Sequence, residues 1–74
     1  MQKRSLTLSG HRTSLALEPE FWAALEAVAV RRGVSLPALI GEIDTTRPRA
    51  RGLASAARVF ALLNLDHSPP VLED

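Results

Sequence analysis

Seventy-four residues, 46% of them hydrophobic and 23% charged, with five prolines, four glycines and no cysteine, make one small domain and exclude two. A mean hydropathy of +0.05 and a formal charge of +1 exclude a chain held open by low hydrophobicity or self-repulsion. The longest apolar runs, Phe21 to Leu25 and Val59 to Leu63, are far short of the roughly 18 residues that a membrane span needs.

Lys3 and Arg4 are followed by alternating polar and apolar residues, not by the ~7–15-residue apolar stretch of a secretory leader, so a cytoplasmic protein is expected. A lone core of this size supplies only about 3–5 kcal/mol, and without cysteine there is no disulfide to add to it. Self-association is therefore expected. Charge is segregated along the chain. Residues 1–17 hold Lys3, Arg4 and Arg12 without an acid, residues 47–58 hold Arg47, Arg49, Arg51 and Arg58 without an acid, and residues 66–74 hold Asp66, Glu73 and Asp74 without a base.

From Arg12 to Leu17 the residues alternate, with Thr13, Leu15 and Leu17 on one side and Arg12, Ser14 and Ala16 on the other, which predicts a short strand with one apolar face. An earlier copy, Arg4 to Ser9, sets Leu6 and Leu8 against Ser5, Thr7 and Ser9, and Gly10 separates the two. It reads either as a second strand or as a basic arm over residues 1–11. At Glu18-Pro19-Glu20 the period changes, because proline suits the first helical position and acids suit the positive end of the helix dipole. A helix over 19–32 follows, with Phe21, Leu25 and Val28 flanked by Trp22 and Ala29 as its core stripe, and with Arg31, Arg32 and Gly33 as its stop. Phe21 and Trp22 are read as core, not as a base-stacking platform.

Gly33-Val34-Ser35 is a tight joint in which Ser35 caps a second helix over 36–46, with Leu36, Leu39, Ile40 and Ile43 at helical spacing. Pro48 ends it. Gly41 costs that helix roughly 1 kcal/mol relative to alanine, so a close helix crossing is expected there. After a loop over 47–52, Leu53 to Leu65 resumes helical spacing with Ala56, Val59, Phe60 and Leu63 as its apolar face and a start between Gly52 and Ser55. The domain is thus expected over 12–65, followed by a loose acidic tail over 66–74.

The order strand, proline-started helix, Gly-x-Ser joint and second amphipathic helix over 12–46 resembles the ribbon-helix-helix transcriptional regulators. The likeness is carried by Arg12-Thr13-Ser14-Leu15-Ala16-Leu17, by Phe21, Leu25, Val28 and Ala29, by Gly33-Val34-Ser35, and by Leu36, Leu39 and Ile40. A longer likeness, through Lys3-Arg4-Ser5-Leu6, Gly10 to Ser14, Glu18 to Trp22 and Arg58-Val59-Phe60, is to a bacterial subfamily of small ribbon-helix-helix proteins. The resemblance implies a mainly α fold with one short β-strand per chain. In that fold two chains pair their strands into an antiparallel ribbon that enters the DNA major groove, and their helices interlock as an intertwined homodimer. An extra C-terminal helix would be added to the unit. Pairing two strands across a two-fold axis would also satisfy an otherwise bare strand edge.

On that basis Arg12, Ser14 and Ala16 are expected to contact bases, and Lys3, Arg4, His11 and Ser35 to contact phosphates. Leu15, Leu17, Phe21, Leu25, Leu36 and Ile40 are expected to form the dimer core. Arg12 suits guanine O6 and N7, a serine hydroxyl donates or accepts, and an alanine methyl contacts thymine. Each has a plainer reading: solvent-facing strand residues for Arg12 and Ser14, a helix cap for Ser35, a frayed terminus for Lys3, Arg4 and His11. The third helix either enlarges the core or, with Arg47, Arg49, Arg51 and Arg58, lines a second binding surface. The functional expectation is a sequence-specific DNA-binding dimer, a repressor or other transcriptional regulator. The alternative is a dimer of the same fold that binds a protein or a small ligand instead. With His11 and His67 as the only histidines and no glycine-rich phosphate loop, neither an enzyme, nor a metal site, nor a cofactor is expected.

Overall fold

A computed structural model describes residues 1–65. Two strands, β1 (Gln2–Leu8) and β2 (His11–Leu17), precede three helices, α1 (Pro19–Arg32), α2 (Leu36–Thr46) and α3 (Leu53–Leu63). The early copy of the strand pattern is therefore a strand in its own right. β1 pairs antiparallel with β2 of the same chain, from Gln2 opposite Leu17 to Leu8 opposite His11. Of the two readings of residues 1–11, the second strand holds, so the chain has two strands where the resemblance implied one. The physical reason lies at Ser9-Gly10. Both residues take positive φ, 50° and 82°, and a two-residue hairpin turn that matches the strand twist needs that conformation. A two-stranded antiparallel ribbon is formed within the single chain.

The register places Leu6, Leu8, Leu15 and Leu17 on one face, where all four are buried. α2 lies against β1 and α3 against β2, while α1 packs on both helices. Leu17, Leu25 and Ile40 are wholly inaccessible within the single chain, and Phe21 and Leu36 are half-buried against the same cluster. Leu15, Leu17, Phe21, Leu25, Leu36 and Ile40, expected in a dimer core, pack in one cluster within the single chain, to which the hairpin supplies an apolar lid.

The helices start and stop for local reasons. Pro19 opens α1, and Gly33 closes it at φ 68°, with its N–H and that of Val34 returning to the carbonyls of Val30 (3.1 Å) and Ala29 (3.0 Å). Ser35 Oγ accepts the N–H of Ala38 at 3.1 Å and so caps α2. α3 ends at Leu63, two residues before the expected Leu65, because Asn64 folds back: its backbone N–H (3.0 Å) and its Nδ2 (2.9 Å) both donate to the Phe60 carbonyl.

Two expectations about helix faces need correcting. The buried face of α3 is Ala56, Ala57 and Ala61, with Leu53 and Phe60 half-buried beside them, whereas Leu63 is 71% exposed. The small alanines bring α3 close to the layer beneath and turn Leu62 and Leu63 outward. The close crossing expected at Gly41 is also absent, since a Cβ added there would meet nothing within 4 Å. The helical glycine therefore has no packing role within the chain. Gly41→Ala is expected to raise stability by about 0.5–1 kcal/mol, by removing unfolded-state backbone freedom, as read from denaturant midpoints.

Candidate nucleic-acid interface

Because side chains alternate along a strand, burying the leucines sends the other set outward. Lys3 lies opposite Ala16, Ser5 opposite Ser14 and Thr7 opposite Arg12, making two rows of three on one face of the hairpin. Five of the six are exposed and Ala16 is half-buried. Arg12, Ser14 and Ala16 are together, as expected. Their companions are Lys3, Ser5 and Thr7 of the same chain, not a second copy of themselves. Sequence reading missed Ser5 and Thr7. The alternation at 4–9 already placed them on the polar side, but the unknown pairing left that side without a neighbour. No side-chain hydrogen bond within the described residues engages Lys3, Ser5, Thr7, Arg12 or Ser14. The face holds two cations, three hydroxyls and no carboxylate.

The hairpin that carries this face is tied down at its open end. Trp22 Nε1 donates to the Gln2 carbonyl at 2.8 Å, and Trp22 itself is almost fully buried. Arg4 lies on the inner side of the sheet, where it pairs with Glu26 at 2.6 Å and stacks 4.7 Å from the Trp22 ring. Arg58 grips Glu18, at the end of β2, through Nε (2.9 Å) and Nη2 (3.2 Å), and its guanidinium lies 5.8 Å from the Phe21 ring. Arg4 and Arg58 are therefore struts between hairpin and helices, and their charges are spent inside the fold.

The other expected site residues scatter. His11 is exposed beside the hairpin turn, on the leucine side of the sheet. Ser35 sits at the start of α2, where little anion-binding capacity is left. Its Oγ already takes the Ala38 N–H, the Leu39 N–H bonds to the Ser35 carbonyl at 3.0 Å, and Pro37 has no N–H, so only the Leu36 amide is free in that turn. Asp66 and His67 lie outside the described residues, as does the rest of the acidic segment.

Charge pairing concentrates what remains. All nine basic residues and five of the eight acids lie in residues 1–65, which carry a formal +4 while residues 66–74 carry −3. Arg4, Arg32, Arg47 and Arg58 pair with Glu26, Glu42, Asp44 and Glu18. Among the described residues Lys3, Arg12, Arg31, Arg49 and Arg51 have no carboxylate partner. The hairpin face is thus one of the places where positive charge is left for a partner.

A family model described as a ribbon-helix-helix domain matches residues 1–65, which include both strands and all three helices. The chain belongs to the ribbon-helix-helix domain family, whose members are generally DNA-binding transcription regulators and typically not enzymes. No curated protein and no solved structure matches the chain. Among the described residues no helix is long and apolar enough to cross a membrane.

The Glu18–Arg58 strut gives a pH-dependent test. The hydrogen bonds from Arg58 hold the Glu18 carboxyl below its ordinary value of 4.5. A depressed folded-state pKa adds stability that is present above the unfolded value and lost as pH falls through the folded one. Glu18→Gln is expected to lower the thermal midpoint near neutral pH and to leave it almost unchanged at the acid end. Added salt is expected to narrow the neutral-pH difference, since both side chains are partly solvated.

Proposed function

We propose that the protein is a sequence-specific DNA-binding regulator of transcription that acts as a homodimer in the cytoplasm, most simply as a repressor. The observation that carries this reading is the exposed, acid-free face of the hairpin, with six side chains in two rows and none of them engaged within the fold. A two-stranded ribbon fits the roughly 12 Å major groove. At about 3.3 Å per residue, the rows from residue 3 to residue 7 run ~13 Å, the length of about four base-pair steps.

The chemistry of the face supplies a base-reading set. Arg12 and Lys3 donate to guanine O6 and N7, the hydroxyls of Ser5, Thr7 and Ser14 donate or accept, and the methyls of Ala16 and Thr7 meet thymine C5-methyl groups. His11 beside the turn takes a phosphate at the margin, while at the start of α2 only the Leu36 amide, beside Ser35, is left to meet one. Arg4 would have to leave Glu26 and Trp22 to do the same. Within this reading it stays a strut, so that the hairpin meets the groove as a rigid body and little ordering is needed on binding.

Dimerisation is supported by what the single chain leaves uncovered. Val30 (79%), Leu62 (60%) and Leu63 (71%) are exposed large apolar residues on α1 and α3. A second copy covers such residues and places two hairpins on one duplex, so that the site is a pair of half-sites.

Selection of bound fragments from genomic DNA by the purified protein tests the reading and gives the half-site spacing. The complex is expected to weaken steeply with salt. Arg12→Ala is expected to cost about 1–3 kcal/mol of binding and to relax preference at one position of each half-site. Sedimentation is expected to show twice the 8.0 kDa chain mass. If no fragment is retained at low salt while a protein or nucleotide co-purifies, the groove-reading role is replaced by that of a binding dimer.

A further inference from the structure

We infer that the turn between α2 and α3 is a second contact to DNA, in which Arg49 and Arg51 bind backbone phosphates while Arg47 braces the turn and binds nothing outside the protein. This rests on the DNA-binding reading and adds a point of attachment away from the hairpin face.

The three arginines of residues 47–51 are alike in sequence and unlike in structure. Arg47 is half-buried, its Nε pairs with Asp44 Oδ1 at 2.7 Å, and its Nη1 donates to the Arg51 carbonyl. The Arg51 N–H donates to the Pro48 carbonyl at 3.0 Å and closes Pro48–Arg51 into a four-residue turn. The turn is thus fixed both by its own main chain and by the Arg47 guanidinium, whose charge Asp44 neutralises. Arg49 and Arg51 are exposed and have no side-chain hydrogen bond or carboxylate partner among the described residues.

Nothing local offsets these two charges. The 11 residues of α3 that follow contain no acid, and Asp44, the last acid of α2, is taken by Arg47. Two guanidinium groups on one braced turn repel each other, and the repulsion is relieved by an anion held between or across them. A guanidinium fork matches phosphate oxygens bidentately. Duplex DNA is the partner favoured here because a second uncompensated cationic surface, Lys3 and Arg12, lies on the hairpin. One polyanion with regularly repeated charge can satisfy both.

The test compares wild type, Arg12→Ala, Arg47→Ala, Arg49→Ala/Arg51→Ala and Arg49→Lys/Arg51→Lys on one selected and one unrelated DNA fragment over a range of salt. Each lost phosphate contact removes about 0.9 from the slope of log K against log salt. The double alanine variant, which removes two contacts from each protomer of the dimer, is expected to lose about 3.6 from that slope and more than tenfold in affinity, equally on selected and unrelated DNA. The double lysine variant is expected to keep the slope, and Arg47→Ala to lower the thermal midpoint. If wild type binds and Arg12→Ala weakens it while the double alanine variant keeps wild-type slope and affinity, the turn is no contact and the hairpin reading stands. If the double alanine variant changes sequence preference instead of weakening all DNA alike, the two arginines read bases and the phosphate-contact proposal falls. If wild type binds no DNA at low salt, both proposals fall together.

Discussion

The pairing of β1 with β2 is the constraint from which the rest of the structure follows. It is set by two residues, Ser9 and Gly10, whose positive φ values let the chain reverse in the shortest loop that matches strand twist. Once the register is fixed, alternation sorts every side chain of the hairpin. Four leucines go under the sheet to become the lid of the helical core, and hydroxyls, a lysine and an arginine go above it. A slip of one residue would exchange the two sets. Core and candidate interface are therefore opposite faces of the same decision, and neither can be altered without the other.

Charge is arranged by the same economy. A net charge of +1 is a weak footprint for a nucleic-acid partner, but the net value averages over residues in different roles. Four arginines are internal struts, each facing a carboxylate on another element or, for Arg47, one turn earlier in the chain. They tie β1 to α1, α1 to α2, the end of α2 to its following turn, and α3 to the start of α1. As partly exposed, salt-screened pairs each contributes only modestly to stability. Their larger effect is on distribution, since the cations left over gather at the hairpin face, at the turn before α3, and at Arg31, whose guanidinium is held by the Asn64 carbonyl at 2.8 Å.

Much of this was legible in the residues. Helices over 19–32 and 36–46 can be read to the residue because Pro19, Gly33, Ser35 and Pro48 act through local sterics and local hydrogen bonds. The outward set Arg12, Ser14 and Ala16 was legible for the same reason, since strand alternation needs no knowledge of the fold. What was not legible is what each element lies against. Leu63 looked like core by spacing and is exposed, because the alanines of α3 make the contact. Gly41 looked like a crossing point and faces open space. Arg4 looked like part of a mobile basic arm and is clamped between Trp22 and Glu26, residues 18 and 22 positions away in the chain.

The amino-acid order by itself determined the elements, their caps and the two-sided character of each strand, because these depend on backbone preferences and on periods of two and 3.6 residues that act over a few neighbours. Only the tertiary structure decided that β1 pairs with β2 of the same chain, that Lys3, Ser5 and Thr7 stand beside Arg12, Ser14 and Ala16, and which arginines keep their charge for a partner. Those outcomes depend on contacts between residues far apart in sequence, and a contact of that kind is chosen by packing and pairing across the whole fold, not by the local pattern at either end.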